Sequence, residues 1–304
     1  MMFDNDVINW LLEDNNPAIK YRTLTELFDR NHKDVEDIYE QIWEMKEVKK
    51  ILSSLTSNGD FEDKHYGSQK YVRYFTALAE LGLKKNSYFD LPVDNAVNLI
   101  LKGVVKEGIS GCGNALVFRA LVMLDYYEHP KVKELIDLYI DTMLFDGGFN
   151  CKRLLDKKPD RKSCYKASLA SLLLYAECKK KGIFLANTNN LCDYLLKRDI
   201  FFSSDKSDFL AKGKEGWRFI DNFFPVEAMR IGLPLIISAL SVLGVRHNSQ
   251  TNYAWNILNE KKNKNGRLAL EGTFTKQPCS FGKVGEENKW ITFYALLAEK
   301  EINS

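Results

Sequence analysis

Six segments of the chain are apolar at the spacing of an α-helix, and they define the predicted core. Several of them are apolar nearly all round, with small residues among the large ones. A helix of that kind has to be buried on more than one side. We therefore predict six inner helices, within residues 17–28, 71–82, 114–127, 165–177, 233–244 and 290–300.

Charged, amphipathic segments stand between the apolar ones. An amphipathic helix covers one face of a core, so buried helices that alternate with such helices indicate an inner ring sheathed by an outer ring. The pattern predicts an all-α protein, an α/α toroid with six inner and about six outer helices, in a single domain over residues 1–304. A helical solenoid is the alternative, because it also stacks helix pairs. The outer segments include 33–55, 131–144, 189–202 and 251–260.

A motif of Asn or Asp, Gly, any residue and an apolar residue recurs three times, at 58–61, 146–149 and 265–268. Asn-Gly and Asp-Gly readily adopt positive φ, so they end helices and turn the chain. An apolar residue stands seven positions before each motif, and the apolar fourth residue is predicted to point back into a core. Repetition at this scale is typical of a repeat architecture. The apolar residues are Ile51 and Phe61, Tyr139 and Phe149, Leu258 and Leu268.

Four stretches carry a resemblance to a known family. They read NPAIKYRTLTEL from residue 16, ILSSLTSNGDFEDKHYGSQKYVRYFTALAELGL from 51, DGGFNCKR from 146 and VGEENKWITFYALL from 284. Together they resemble the prenyltransferase-like, squalene-cyclase-like α/α toroids of bacteria over most of the chain. The resemblance implies the toroid fold, in which the glycine turns are similar to degenerate copies of the cyclases' glutamine-tryptophan motif. None of the four stretches specifies a reaction.

Composition excludes some classes of partner. The 43 basic and 41 acidic residues leave a net charge of only +2, so no basic surface is expected to attract nucleic acid. No apolar run reaches membrane-spanning length, and the opening MMFDNDVINW lacks the apolar segment of a signal peptide. The six cysteines include no C-x-x-C pair, which favours thiols in a reducing cytoplasm.

The chemistry that the resemblance suggests lacks its usual residues. A cyclase of this family uses an Asp-x-Asp-Asp acid cluster, and the nearest approach here is 34–37, in a predicted outer segment. The Asp-Asp-x-x-Asp motif that holds magnesium and diphosphate is also absent. Asp146 and Cys151 offer two zinc ligands of the protein-prenyltransferase type, but Lys166 stands where the family often has the third, a histidine. We therefore predict no metal and no cofactor, with Cys151 as a packed thiol.

Two further patterns leave alternatives open. The acids Asp146, Asp221, Glu227 and Glu287 offer pairs of carboxylates of the kind an α/α-barrel glycosidase uses, although 41 acids provide such pairs in any fold. Aromatic residues mark the predicted starts of inner helices. They either line an apolar cavity or fill the centre of the toroid. These aromatics are Tyr21, Tyr71, Tyr165, Trp217 and Trp290.

The best candidate site is a rim formed by the loops that precede inner helices. A closed ring makes the first and last inner helices neighbours, so arginines there are expected to neutralise the acids of the rim. The alternative is an ion-paired ring closure that binds no ligand. No catalytic residue is assigned. The rim candidates are Tyr21, Arg22, Asp146, Asn150, Cys151, Arg153, Trp217, Glu286, Glu287 and Trp290.

The missing motifs favour a non-catalytic module that binds a small apolar ligand or interacts with another protein, whose identity the sequence does not specify. The alternative is an enzyme that acts on an isoprenoid-like or other small substrate in a central cavity. That enzyme would be a cyclase, a transferase or an α/α-barrel hydrolase.

Overall fold

A computed structural model describes residues 3–63, 68–151, 162–210, 219–227, 230–274 and 276–303. Within these ranges the protein is all-α, as predicted: it contains thirteen α-helices, and its β-structure is confined to isolated bridges. No helix in the described ranges has the length and apolar character needed to cross a membrane. The helices are α1 (Asn5–Leu11), α2 (Pro17–Arg22), α3 (Glu36–Glu44), α4 (Lys46–Leu52), α5 (Ser68–Glu80), α6 (Ser87–Glu107), α7 (Cys112–Met123), α8 (Pro130–Ile140), α9 (Tyr165–Lys180), α10 (Thr188–Leu196), α11 (Leu233–Val242), α12 (Asn252–Glu260) and α13 (Lys289–Asn303).

The chain forms two compact units. The first unit comprises Met1–Lys49, Leu195–Val226 and Arg230–Ser304, and the second comprises Lys50–Tyr194 with Glu227–Met229. Each has its own set of buried helices, because the six apolar segments divide equally between them.

In the second unit, three buried helices pack in chain order. Helix α5 packs against α7, and α7 packs against α9. Residues 115–123 of α7 and 167–178 of α9 are all buried, so these helices are covered on every side, as their apolar pattern predicted. Helix α8 lies against α7 and buries one face, which includes Val132, Leu135 and Tyr139. Burial of a large aliphatic side chain contributes about 1.5–3 kcal/mol, so these helices hold much of the unit's stability.

In the first unit, α11 packs against α13, and α13 also contacts α1 and α2. All ten residues of α11 are buried. The first apolar segment, predicted as one helix, instead forms α2 followed by a π-helical turn, Thr23–Leu27. The Thr25 hydroxyl donates to the Tyr21 carbonyl at 3.0 Å, a local bond that competes with the regular helical ladder.

Helix α6 is the longest in the described chain, and it is not among the segments predicted from the sequence. Asn86 caps it by accepting from the Tyr88 N–H at 3.1 Å, and Pro92 lies inside it. The proline and several Asn and Asp residues weaken its helical signature. Its buried stripe is nevertheless regular and packs on α5: Phe89, Val93, Ala96, Val97 and Ile100.

The three glycine turns share one geometry, as predicted. Their glycines, Gly59, Gly147 and Gly266, have φ of 72°, 87° and 71°. In each turn, the residue two places before the Asn or Asp accepts from the glycine N–H at 2.9 Å. That residue also donates its own N–H to the carbonyl four residues on, at 2.8 to 2.9 Å. The fourth residue of each motif is buried: Phe61 is 3% exposed, and Phe149 and Leu268 are 0% exposed.

The second and third turns also dock on the following inner helix in the same way. The Phe149 N–H donates to Ser168 Oγ on α9, and the Leu268 N–H donates to Thr292 Oγ1 on α13, each at 3.0 Å. Their carbonyls accept from the residue just before each helix, at 2.7 and 2.8 Å. The sequence repeat is therefore a structural repeat of turn and helix start.

Candidate functional site

The loop after the second turn is fixed by its own polar side chains. Asp146 accepts from the Ser163 N–H at 3.2 Å and from the Ser163 hydroxyl. Asn150 is fully buried, and its amide donates to the Lys162 carbonyl at 2.9 Å. Gly148 lets the loop lie close to α9, because a Cβ on this residue would stand 2.5 Å from Ser168 Oγ. Buried polar groups that are satisfied in this way hold a loop in place, and they act here as structural residues.

Three cysteines surround this loop. Cys151 Sγ lies 3.5 Å from the point where a Cβ on Gly111 would stand, just before Cys112 opens α7. The Cys112 thiol is hydrogen-bonded to Cys151, and that bond together with burial raises the pKa of Cys112. Cys164, the residue before α9, lies near Cys112. Cys151 therefore packs within a group of thiols.

In the first unit, Arg22 lies against the last helix. Its side chain is 2% exposed, and its Nε bonds Glu26 at 2.5 Å. The guanidinium donates to the Tyr294 hydroxyl at 3.3 Å and stands 4.7 Å from the centre of the Phe293 ring. Tyr21 is also buried, with its hydroxyl 3.2 Å from His32 Nδ1. Glu26, which pairs with Arg22, lies one helical turn further along the same segment.

The acids before α13 have partners nearby. Glu287 pairs with Arg267 at 2.8 Å, and the hydrogen bond from Arg267 lowers the pKa of Glu287. Glu286 is exposed and lies 3.4 Å from Lys283. Trp290 is 3% exposed and stacks on Phe224, with ring centres 5.6 Å apart. Trp290 is therefore a core residue of the first unit.

The ten rim candidates thus fall into three groups. Asp146, Asn150 and Cys151 lie together in the second unit, and Tyr21, Arg22, Glu286, Glu287 and Trp290 lie in the first. Arg153 and Trp217 lie outside the described residues. The convergence of the two loops on one rim stays a prediction. The buried Asn150 and Trp290 are poor ligand probes, because their removal will itself perturb packing.

A polar recess of about 440 Å³, not predicted from the sequence, opens beside the first glycine turn. Asn95 of α6 holds the turn in place by donating to the Asn58 and Gly59 carbonyls at 2.8 and 3.1 Å. The polar residues that α6 contributes stand at i, i+3 and i+7, so they share one face of the helix. That spacing was the available signal, but it is meaningful only once α6 is recognised. The recess is lined by Asn58, Asp60, Lys70, Tyr71, Asn95, Asn98, Leu99 and Lys102.

Asp60 organises the recess electrostatically. It accepts from Lys70, from the Phe61 N–H at 2.9 Å and from the Tyr71 hydroxyl at 3.1 Å. Burial raises the pKa of Asp60, but the hydrogen bonds from Lys70 and Phe61 and the Lys70 charge outweigh it, so the pKa lies below its ordinary 3.8. Burial and the neighbouring Asp60 raise the pKa of Tyr71. At neutral pH the recess therefore holds a carboxylate, an ammonium group and a neutral phenol, and Lys102 adds a second cation.

A buried ion-pair network, also missed, joins the three inner helices of the second unit. Arg119 of α7 is 1% exposed. It donates to Glu80 of α5 at 2.8 Å and to Glu177 of α9 at 3.4 Å. Lys180 reaches Glu177 from the edge of the network at 3.0 Å. Charge clusters of this kind occur at active sites and in structural networks, and this one lies between packed helices.

Within the described ranges, no three His, Cys, Asp or Glu side chains are placed to hold a metal ion. The predicted absence of zinc stays a prediction. Comparison of the chain with models of known families, with curated proteins and with solved structures finds no match.

Proposed function

We propose that this chain is a non-catalytic binding module with an α/α toroid fold, and that it binds a small polar anion in the recess beside the first glycine turn. The observation that carries the proposal is the recess itself, which gathers charged, amide and phenol groups around about 440 Å³. Ligand sites use a few convergent polar groups to fix the orientation of a small molecule.

The charges in the recess select the ligand class. Lys70 and Lys102 against Asp60 give two positive charges and one negative, a net charge of +1. Asn58 and Asn98 offer amide donors and acceptors that suit hydroxyl groups. A hydroxylated anion, such as a hydroxy acid or a sugar phosphate, satisfies both requirements.

The expectation of a small apolar ligand came from aromatics at the starts of inner helices, and it remains the competing proposal. Three of these aromatics, Tyr21, Tyr71 and Trp290, are buried, and for Tyr21 and Trp290 this favours a packing role. The enzyme alternative has no additional support, because the acid, magnesium and zinc motifs are missing from the sequence.

The toroid part of the proposal draws on the packing inside each unit. Buried helices that follow one another along the chain are neighbours, as α5, α7 and α9 are in one unit and α11 and α13 are in the other, where α13 also contacts α2 from the start of the chain. The shared docking of the second and third turns is a second support. A cytoplasmic location stays part of the proposal on the cysteine pattern alone.

A thermal-shift screen with two arms tests the function. One arm contains hydroxy acids and sugar phosphates, and the other contains farnesol and related isoprenoid alcohols. Saturation at a hundred times Kd stabilises a protein by about 2.7 kcal/mol, so we expect a polar anion to raise the melting temperature by several degrees. A response to isoprenoid alcohols alone would contradict the proposed ligand class, and no response in either arm would favour a protein-interaction module.

A further inference from the structure

The second glycine turn and the start of α7 bring two cysteines into contact. The Ser110 hydroxyl donates to the Asn150 carbonyl, which fixes the two backbone segments side by side. The next residues on each segment complete the contact, since Cys151 Sγ packs against Gly111 and the Cys112 thiol is hydrogen-bonded to Cys151. Cys112 and Cys151 are both partly exposed, so a small oxidant can reach them.

Cys178 and Cys192 are buried, unlike this pair. Burial raises the pKa of Cys178 to about 12 and that of Cys192 to about 11, as is usual for inert core thiols. The hydrogen bond with Cys151 together with burial raises the pKa of Cys112. A thiol whose pKa is raised is a weak nucleophile, so Cys112 is suited to the second step of an oxidation and Cys151 to the first.

We propose that Cys112 and Cys151 are a reversible oxidation site that forms one disulfide with hydrogen peroxide as the oxidant. The Cys151 thiolate attacks one peroxide oxygen, and the O–O bond breaks. Cys151 becomes a sulfenic acid, and the hydroxide that leaves takes a proton to form water. The Cys112 sulfur then attacks the sulfenic sulfur, the S–O bond breaks, and the departing hydroxide takes the Cys112 proton. Two thiols and one peroxide give one disulfide and two waters.

The disulfide would tie the second turn to the start of α7. Because a cross-link restricts the unfolded chain, the oxidised protein is expected to melt at a higher temperature than the reduced one. This site is separate from the recess and does not depend on the proposed ligand.

Thiol counting on the full chain tests the proposal. The reduced protein has six thiols, and mild treatment with hydrogen peroxide is expected to lower the count to four, with full recovery in dithiothreitol. Peptide mapping without reductant should find Cys112 joined to Cys151. A disulfide between any other pair, a disulfide between two copies of the chain, or an unchanged count of six overturns the proposal.

Three variants separate the roles of the sulfurs. Cys164→Ser is the matched control, because it removes the neighbouring thiol and should still lose two thiols, from five to three. Cys112→Ser removes the resolving thiol, so dimedone should trap a sulfenic acid on Cys151. Cys151→Ser should leave Cys112 unmodified. Far-UV circular dichroism in reductant checks that each variant folds. If a variant does not fold, the peptide map of the oxidised wild-type chain decides which cysteines are paired. If the Cys164→Ser variant fails to form the disulfide while the Cys112→Ser and Cys151→Ser variants still form one, the assignment is contradicted.

Discussion

Arg119 offers the most direct test of how the second unit is held together. Its guanidinium is fully buried between Glu80, which is 0% exposed, and Glu177, which is 8% exposed. We consider Arg119→Leu, which removes the charge but leaves apolar volume in place. The variant takes the guanidinium away from the buried Glu80 carboxylate, whereas Glu177 keeps Lys180 at 3.0 Å.

The expected loss follows from that geometry. Removing one partner of a buried, hydrogen-bonded ion pair costs about 3–5 kcal/mol, because the other charge remains buried. A unit of about 150 residues shifts its melting temperature by about 2–4 °C for each kcal/mol, which gives a decrease of roughly 6–20 °C. Lys180→Ala is the matched control. It removes a partly exposed partner of the same network and should cost less than about 1 kcal/mol.

Urea unfolding followed by circular dichroism measures both variants, and a double variant isolates the cause. Arg119→Leu with Glu80→Leu removes both buried charges, so it should recover much of the stability lost in Arg119→Leu alone. The reasoning would be refuted if Arg119→Leu cost no more than Lys180→Ala. Additive losses in the double variant would also refute it, because the broken Arg119–Glu80 pair would then not be the source of the cost.

Three further outcomes are expected. Asp60→Asn should lower the free energy of unfolding by a constant amount above about pH 4, and this loss should shrink as the pH falls further. The reason is that the pKa of Asp60 is lowered in the folded state, so its stabilising effect is complete above the unfolded-state pKa of about 3.9 and is lost as the pH falls through the folded-state pKa. Urea midpoints across acidic pH check this, and a loss that grows toward low pH would contradict it. In thermal melts, Gly147→Ala should lower stability several times more than Gly182→Ala does. Both glycines have positive φ, but only a Cβ at Gly147 would meet the Asn190 carbonyl. Equal losses of stability would show that backbone conformation alone matters. Trp290→Ala should cost about 3–5 kcal/mol, which separates a core residue from a ligand contact, and an unchanged melting temperature would restore it as a rim candidate.

Local features were predictable from the sequence. The glycine turns depend on a short motif with one conformational requirement, and the structure reproduces the same φ and hydrogen bonds at all three. The inner helices were predictable because apolar residues all round a helix admit only a buried position. Helix α6 was missed because Pro92 and its polar residues weaken a stripe that is regular only when the whole helix is considered.

The candidate sites were harder to predict because they depend on contacts between distant segments. Arg119 meets Glu80 and Glu177 across 39 and 58 residues, a pairing that no local spacing encodes. One signal was available, since a lone arginine inside an apolar helix needs a buried partner. Arg22 is a different case, because its pairing with Glu26 follows the local i, i+4 spacing of one helical turn.

Calorimetric titration of the recess tests the central proposal most directly. The polar anion found in the screen is titrated into the wild-type chain, Lys102→Ala and Lys131→Ala. Both lysines are exposed residues of the second unit, but only Lys102 lines the recess. A hydrogen bond to a charged group contributes about 1.5–3 kcal/mol, so Lys102→Ala should weaken binding roughly 10- to 150-fold, while Lys131→Ala binds as the wild type does. Equal affinities for all three proteins would place the ligand outside the recess and contradict the proposed function.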